Sequence, residues 1–260
     1  MKIGIIGVGY VGLTTAICLA SMKHEISIFD INEEKIKQIR EKKLPFFEKG
    51  LQEILENVIS SKNLIPVKNL NELVVNTEGC FICVGTPTKD NSIDLTQIID
   101  AVKSLADSIK QNDKNDYKII IRSTIIPNTA RNTILPILSD KLYELKFGLS
   151  VVPEFLREGN ALDDFMNPDK IVIGGSDENS IIFVKKIFQN FKDKCEFIET
   201  SLESAELIKY TNNAFFSMLI SFSNEIANIS EKILGVDSHE ILKALISDKR
   251  ITSIVNNERI

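Results

Sequence analysis

The feature that most limits the possible fold is the glycine-rich stretch "KIGIIGVGYVG" at the start of the chain. Gly7, Gly9 and Gly12 have the G-x-G-x-x-G spacing, after an apolar run that predicts a strand and before a pattern that predicts a helix. In such a unit the first glycine allows a tight turn, the second lets the backbone approach a pyrophosphate, and the third permits close helix–strand packing. The stretch therefore predicts a dinucleotide-binding α/β unit.

Asp30 indicates which dinucleotide binds. It ends the next predicted strand, about 20 residues after the glycines, where an acid usually contacts the adenosine ribose. Its carboxylate can accept both ribose hydroxyls and would repel a 2′-phosphate. The sequence therefore predicts NAD rather than NADP as the cofactor.

Short β-rich runs alternate with helical patterns along the chain as far as Thr200. This alternation predicts parallel strands joined by right-handed crossovers, and hence an α/β fold with a Rossmann-like doubly wound parallel sheet. Strands are predicted at "KIGIIG", "EISIFD", "CFICVG", "YKIIIRS", "FGLSVV", "KIVIGG" and "CEFIE", and helices at Val11–Met22, Asn32–Arg40, Leu51–Ile59, Leu95–Ile109, Ala130–Leu138 and Ser180–Phe191.

A long helical pattern follows, without Gly or Pro up to Gly235, and a Thr200-x-x-Glu203 capping box precedes it. It predicts one helix of roughly 34 residues, about 50 Å long, that acts as a spine between domains or subunits. A shorter helix is predicted at Ser238–Ile246. We expect an NAD-binding Rossmann-like domain at residues 1–199 and the start of a helical dimerisation domain at residues 200–260. The apolar surface of the long helix is predicted to comprise Phe215, Phe216, Leu219, Phe222, Ile226 and Ile229.

Charge and cysteine content exclude several classes of protein. A net charge of -5 argues against nucleic acid or an anionic membrane as the main partner. Four cysteines do not make a disulfide framework in a chain of 260 residues, which favours a reducing, cytoplasmic compartment. Cys80 and Cys83 fall on a predicted strand, where positions three apart face opposite sides, so we expect no metal site there.

Polar residues follow several predicted strands, at the edge where open parallel sheets bind ligands. Thr86, Pro87 and Thr88 follow one strand, Ser123 and Thr124 follow another, and Glu154 and Glu158 follow a third in "VPEFLREG". Lys209 and Asn213, four positions apart, share one face of the long helix. A lysine in a crevice can orient a substrate oxygen, stabilise negative charge or exchange a proton.

Together these segments resemble a known family. "GVGYVG", "FICVGTPT", "IIRSTIIP", "VPEFLREGNALDDFMNPDKIVIG" and "AELIKYTNNAFFS" are similar, in order and spacing, to the UDP-glucose 6-dehydrogenase and GDP-mannose 6-dehydrogenase family. Members of that family oxidise the C6 alcohol of a nucleotide sugar to a carboxylate, with two NAD and a cysteine thioester. The resemblance implies an oxidoreductase of polysaccharide biosynthesis that converts UDP-glucose to UDP-glucuronate; "NPDKIVIG" favours UDP-glucose over GDP-mannose.

The resemblance also implies roles for individual residues. Glu154 would activate the water that hydrolyses the thioester, while Thr124 and Lys209 would position that water and hold the developing oxyanion. The implied catalytic residues are Thr124, Glu154, Glu158, Lys209 and Asn213. The implied NAD contacts are Gly7, Gly9, Val11, Gly12, Asp30, Lys35, Thr86 and Thr124, with Glu158 near the nicotinamide. The implied sugar contacts are Glu154, Phe155, Leu156, Arg157, Glu158, Lys209 and Asn213.

The chain departs from the family pattern at its end. "DKRI" at residues 248–251 resembles the start of a segment that, in the family, continues into a glycine-rich loop with the nucleophilic cysteine. The four cysteines present lie in a predicted helix or in or beside predicted strands, so none is expected to replace it. We therefore expect Ile260 to be a truncation point, and the chain to bind NAD and form a homodimer without completing the oxidation.

Two alternatives remain open. The first is a single-step 3-hydroxyacid dehydrogenase similar to the 3-hydroxyisobutyrate and 6-phosphogluconate enzymes, which carry a helical K-x-x-N-N like that at Lys209 and need no cysteine. Those enzymes usually have a glycine-rich segment where this chain has "VPEFLREG". The second is a non-catalytic NAD-binding or dimerisation module, on which a nucleotide sugar would have no effect.

Overall fold

The computed structural model describes residues 1–90 and 92–249. The chain divides into two compact units, Met1–Lys209 and Tyr210–Ile260. The predicted domain boundary at residue 199 stays a prediction. The second half of the "DKRI" segment, from Arg250 onward, and Ile260 lie outside the described residues.

The first unit is built on an eight-stranded sheet with a separate two-stranded hairpin. The sheet strands are β1 Lys2–Ile6, β2 Glu25–Phe29, β3 Leu64–Pro66, β4 Gly79–Ile82, β7 Tyr117–Ile121, β8 Phe147–Val151, β9 Lys170–Gly175 and β10 Glu196–Thr200, and the hairpin strands are β5 Thr88–Lys89 and β6 Ser92–Ile93. The spatial order in the sheet is β10-β9-β8-β7-β4-β1-β2-β3. The seven predicted strands are confirmed, whereas β3 and the hairpin were not predicted.

In the spatial order of the sheet, the strands β3, β2, β1, β4, β7 and β8 each pair in parallel with the next, as the alternation predicts. The predicted Rossmann-like, doubly wound sheet is confirmed as a mostly parallel one; at its other end, β9 runs antiparallel to β8, and β10 is parallel to β9. Between β8 and β9 lies one short helix, α7 (Ala161–Met166). The chain enters β9 from the edge at which β8 ends, so it does not return to the starting edge as a parallel crossover would.

Helices of the first unit cover both faces of the sheet. The helices of the described residues are α1 Tyr10–Ser21, α2 Glu33–Arg40, α3 Leu51–Ser60, α4 Leu70–Asn76, α5 Thr96–Gln111, α6 Leu135–Lys141, α7, α8 Glu178–Ile187, α9 Leu202–Ser230 and α10 Ser238–Ile246. The predicted helices are confirmed with shifted ends, and α4 and α7 were not predicted. A π-helical turn at Ala130–Ile134 precedes α6, and a 3₁₀ turn at Gln189–Phe191 follows α8.

Two apolar cores lie on opposite faces of the sheet. Ile3 and Ile5 of β1 belong to one core, and Ile6 belongs to the other. Cys80 and Cys83 also fall into different cores, which confirms that they face opposite sides. Among the described residues, no helix is long and apolar enough to cross a membrane.

Helix α9 begins and ends differently from the prediction. Its 29 residues span about 44 Å. Thr200 belongs to β10, and the hydroxyl of Ser201 accepts the Ser204 N–H at 3.1 Å, so the predicted Thr200–Glu203 capping box is wrong. Glu203 instead forms an ion pair with Arg131. The helix ends at Ser230, because the next residues form tight turns.

The second unit exposes much of its apolar surface. Helix α10 confirms the predicted Ser238–Ile246 helix and is capped by Asp237, whose carboxylate accepts the His239 N–H at 2.8 Å. Gly235 has a φ of +81°, which suits a turn between α9 and α10. The exposed apolar side chains on α9 include Phe215, Phe216, Met218, Leu219, Ile220, Phe222 and Ile229.

Candidate functional site

The glycine-rich turn joins β1 to α1. Gly7 has a φ of +90°, and a Cβ at Gly12 would lie 1.9 Å from the carbonyl oxygen of Gly7, so neither position accommodates a side chain. A Cβ at Gly9 would meet nothing within 4 Å. The first-turn amides of a helix have no intrahelical partners and attract anions. The open space at Gly9, at the N-terminus of α1, therefore fits a pyrophosphate.

Asp30 follows β2 and lies beside this turn. Its carboxylate accepts the N–H of Val8 at 2.7 Å and the N–H of Asn32 at 2.8 Å. Each oxygen retains a lone pair for a further hydrogen bond, as a ribose contact requires. Val11 is half-buried in the first turn of α1, and Lys35 is half-buried in the first turn of α2.

The ends of β4 and β7 meet, because these strands are neighbours in the sheet. The hydroxyl of Thr86 donates to the carbonyl oxygen of Thr124 at 2.7 Å, and the hydroxyl of Ser123 donates to that of Val84 at 2.7 Å. The structure thus brings together two of the predicted cofactor residues. Pro87 and Thr88 are exposed and lead into the hairpin.

Glu154 and Lys209 form the central ion pair of the candidate site. The Lys209 ammonium donates to the Glu154 carboxylate at 2.9 Å and to the Glu154 carbonyl oxygen at 2.6 Å. The Glu154 side chain is only 12% exposed, and the Lys209 side chain is only 9% exposed. Solvent therefore screens the pair weakly. A carboxylate and an ammonium held in this way can exchange a proton or stabilise an oxyanion.

The loop after Glu154 makes several contacts close to the ion pair. The Phe155 ring lies 4.8 Å from the Lys170 ammonium and 5.5 Å from that of Lys209, within cation–π range. The Leu156 N–H donates to Glu154 at 2.6 Å. With Arg122 and others, Phe155 and Leu156 line a cavity of about 40 Å³.

Arg157, Glu158 and Asn213 are exposed. Arg157 forms an ion pair with Asp164, with Nη2 at 2.5 Å, so its guanidinium already has a partner. Asn213 lies on α9 in the second unit. The roles of these three residues stay predictions.

A buried arginine at the end of β7 was not predicted from the sequence. The guanidinium of Arg122 donates to the Thr15 hydroxyl at 3.0 Å and to the Val152 carbonyl oxygen at 3.4 Å. It also lies over the rings of Phe81 and Phe165. Burial lowers its pKa. Arg122 thus links α1 to the segment before Glu154. The one feature of the sequence that could have indicated this role is a single cation at the end of an apolar strand.

Two buried carboxylates were also missed. Glu48 accepts hydrogen bonds from the Tyr10 hydroxyl and from the N–H groups of Gly159 and Ala161, each N–H at 3.1 Å. Burial and the bond to Glu48 raise the pKa of Tyr10 to about 12. Glu48 lies in "LPFFEKGL", where a proline and a glycine are typical of an exposed turn, so its burial could not be predicted.

Glu206, the second of these carboxylates, ties the start of α9 to the loop after Thr124. It accepts the N–H groups of Asn128 at 2.6 Å and Ala130 at 2.7 Å, and burial raises its pKa. Glu206 lies one helical turn before Lys209. The same helix segment therefore anchors the loop and carries the ammonium of the candidate site.

The four cysteines are free thiols; Cys18, Cys80 and Cys83 are buried, and Cys195 is half-buried. Burial raises the pKa of Cys18 and of Cys83 to about 12, and it raises the pKa of Cys80 and Cys195 as well. Because the thiolate is the reactive form, these four side chains are poor nucleophiles. Within residues 1–90 and 92–249, no group of three or more His, Cys, Asp or Glu side chains could hold a metal ion.

Comparison with known proteins gives two family matches. Residues 1–192 match the NAD binding domain of the UDP-glucose/GDP-mannose dehydrogenase family, and residues 203–259 match the central domain of the same family. A UDP-glucose 6-dehydrogenase of Rickettsia bellii is 38% identical over 98% of this chain and 58% of its own length. A GDP-mannose 6-dehydrogenase of Pseudomonas syringae is 35% identical over 96% of this chain and 57% of its own length.

Solved structures agree with these matches. A ternary complex of GDP-mannose dehydrogenase from Pseudomonas aeruginosa has a TM-score of 0.91 and 32% identity, over 95% of this chain and 57% of that one. A UDP-glucose dehydrogenase from Pyrobaculum islandicum has a TM-score of 0.89 and 32% identity, over 96% of this chain and 57% of that one. The chain thus spans less than 60% of the length of these relatives.

Proposed function

The chain belongs to the UDP-glucose/GDP-mannose dehydrogenase family, and on this premise we propose that it binds NAD and carries acid–base groups for oxidising the C6 alcohol of a nucleotide sugar. The observation that carries the proposal is the buried Glu154–Lys209 pair. It follows β8, at the sheet edge where the glycine-rich turn, Thr86 and Thr124 also lie.

The cofactor site would use the turn and the strand ends. Bound NAD supplies a hydride acceptor. The amides at Gly9 and Val11 would face its pyrophosphate, and Asp30 would accept its ribose hydroxyls. The remaining proposed contacts are Gly7, Gly12, Lys35, Thr86, Thr124 and Glu158.

The substrate site would centre on the ion pair. Lys209 would donate a hydrogen bond to the substrate oxygen and stabilise negative charge that develops there. In the thioester hydrolysis that the family resemblance implies, Glu154 would accept a proton from the water that attacks the thioester carbonyl, Thr124 would help to position that water, and the cysteine thiol would leave. Phe155, Leu156, Arg157, Glu158 and Asn213 would contact the sugar, for which we propose UDP-glucose.

The proposal extends to assembly and compartment. Exposed apolar side chains on α9, among them Phe215 and Phe222, support a homodimer formed through this helix. The free cysteines support a reducing compartment such as the cytoplasm.

Titration with reduced cofactor tests the proposal. The chain has no tryptophan, so the fluorescence of added NADH can be followed without interference from that side chain. We expect NADH to bind at least about tenfold more tightly than NADPH. Asp30→Asn should narrow that ratio, whereas Glu33→Gln, at an exposed position on α2, should leave it unchanged.

The substrate is tested by adding UDP-glucose or GDP-mannose to the NADH complex. We expect UDP-glucose to change the fluorescence or affinity of bound NADH more than GDP-mannose does. Failure of the wild-type chain to bind NADH would refute the proposal. No response to either nucleotide sugar would favour the non-catalytic module, and turnover of a 3-hydroxy acid with one NADH per substrate would favour the single-step enzyme.

A further inference from the structure

Glu48 joins two segments that are far apart in the sequence. It lies in the segment between α2 and α3, and it is buried, only 3% exposed, although the stretch is turn-like. One carboxylate oxygen accepts the Tyr10 hydroxyl and the Gly159 N–H, and the other accepts the Ala161 N–H. These donors belong to the glycine-rich turn at one end and to the loop after Glu158 at the other.

Tyr10 completes the connection. It follows Gly9 directly and is the first residue of α1, so its backbone belongs to the turn proposed to hold the pyrophosphate. Its hydroxyl also lies 3.2 Å from the Gly159 nitrogen and 3.4 Å from the Arg157 carbonyl oxygen. The hydroxyl and the carboxylate thus hold the backbone of the loop together.

The surrounding packing restricts this connection. The Phe46 ring packs on the Tyr10 ring with centroids 4.9 Å apart. A Cβ at Gly50 would lie 3.1 Å from Leu162 of α7, so the segment that carries Glu48 also packs closely against that helix. Ala161 is the first residue of α7, where a carboxylate is favoured by the helix dipole. Charge-assisted hydrogen bonds of this kind are stronger than neutral ones.

We propose that Glu48 and Tyr10 are positioning residues that couple the cofactor turn to the loop of residues 154–161, so that dinucleotide binding at the turn orders the loop. This inference rests on the proposed NAD site. Phe155 to Glu158 lie in that loop, so cofactor binding at the turn would further restrain the residues proposed to contact the sugar. The Glu48 carboxylate carries the connection, since it bonds both segments.

Amide hydrogen exchange of the whole 260-residue chain tests the coupling at the atoms involved. We expect Glu48→Gln to speed exchange at Gly159 and Ala161 about tenfold without ligand, because a charge-assisted acceptor is lost. Saturating NADH should slow exchange at both amides in the wild-type chain. In Tyr10→Phe, NADH should still bind, but the slowing should be lost. Glu53→Gln, an exposed carboxylate on α3, should behave as wild type.

The outcomes separate the coupling from the cofactor assignment. If NADH binds and exchange at Gly159 and Ala161 stays unchanged, or if Tyr10→Phe keeps the full slowing, the coupling is overturned and the proposed function stands. If the wild-type chain fails to bind NADH, both fall. Should Glu48→Gln not fold, Tyr10→Phe still decides the question, since it removes one hydroxyl and keeps the ring that packs on Phe46.

Discussion

Lys209 and Glu154 are the two single residues whose replacement should disturb the candidate site most. Lys209→Met keeps the length of the side chain but leaves the Glu154 carboxylate, 12% exposed, without its ammonium partner. We expect a loss of about 3 kcal/mol in the free energy of unfolding, because removing one member of a buried pair strands the other charge. Urea denaturation of the variant and of wild type measures it.

A matched pair on the surface gives the control. Lys185 and Glu199 also form an ion pair, but each side chain is 44% exposed, so Lys185→Met should cost less than about 1 kcal/mol. Glu154→Gln combined with Lys209→Met should cost less than the sum of the single variants, by about 1–3 kcal/mol. Additive losses would show that the two side chains do not interact energetically.

His24 should make stability depend on pH. It is buried, with Nε2 3.1 Å from the Ile187 carbonyl oxygen, and burial lowers its pKa in the folded chain. An unfolded histidine titrates near ~6.5. Below that pH the unfolded chain binds more protons than the folded chain, so the contribution of His24 to stability is present above about 6.5 and is lost as the pH falls toward the folded pKa.

The comparison of two variants isolates this effect. His24→Gln keeps an N–H donor toward Ile187 but cannot titrate, so it should flatten the loss of stability between about pH 6.5 and 5.5. His239→Gln, at the exposed second histidine, should keep the wild-type slope. Urea midpoints over this pH range give the slopes, and parallel curves for wild type and His24→Gln would contradict the assignment.

In the turn between β1 and α1, Gly12 lies in a tightly packed position and Gly9 in an open one, so the two positions can be tested separately. Gly12→Ala would place a methyl group 1.9 Å from the Gly7 carbonyl oxygen, a backbone atom that cannot move aside easily. We expect a loss of about 3 kcal/mol or more in stability. Gly9→Ala meets no atom within 4 Å, so it should lose less than about 1 kcal/mol.

At Gly9, substitution should weaken cofactor binding more than it weakens stability. A methyl group there would occupy the space proposed for the pyrophosphate, so NADH affinity should fall at least about tenfold while the fold survives. Thermal melts and NADH titrations of the two variants measure both quantities. Wild-type affinity in Gly9→Ala would place the pyrophosphate elsewhere.

Local patterns explain which elements could be predicted. The runs around Ile3, Ile26 and Ile119 are buried strands whose β-branched residues and bounding turns are visible in the sequence. The reversal of β9 was not visible, because the sequence between "FGLSVV" and "KIVIGG" does not show at which edge the chain re-enters the sheet. The short β3 and α7 were missed for lack of periodic residues.

Some residues of the candidate site could be predicted from the sequence, and others could not. The glycine turn and Asp30 follow from a local spacing, and Lys209 with Glu154 was expected from the family resemblance. The burial of Glu48 and Arg122 depends on contacts with segments that are 30 or more residues away in the sequence. Such burial is set by tertiary packing, which a single sequence does not display.

For the whole molecule, assembly through α9 is the remaining prediction. Phe215, Leu219 and Phe222, with Ile226 and Ile229, recur at alternating spacings of four and three residues. This heptad spacing places them on one stripe of the helix, as in helices that pair with one another. The first three are 40–47% exposed in the single chain, so a second copy could bury them.

Sedimentation of two neighbouring variants tests this stripe. Leu219→Glu would place a charge in its middle, and burying an unpaired carboxylate is unfavourable, so we expect a monomer where wild type is a dimer. Ile220→Glu makes the same change at a 62% exposed side chain one residue further, about 100° around the helix and off the stripe, and should remain a dimer. Equal dissociation by both variants would show that a broader surface pairs, and a monomeric wild-type chain would refute the homodimer.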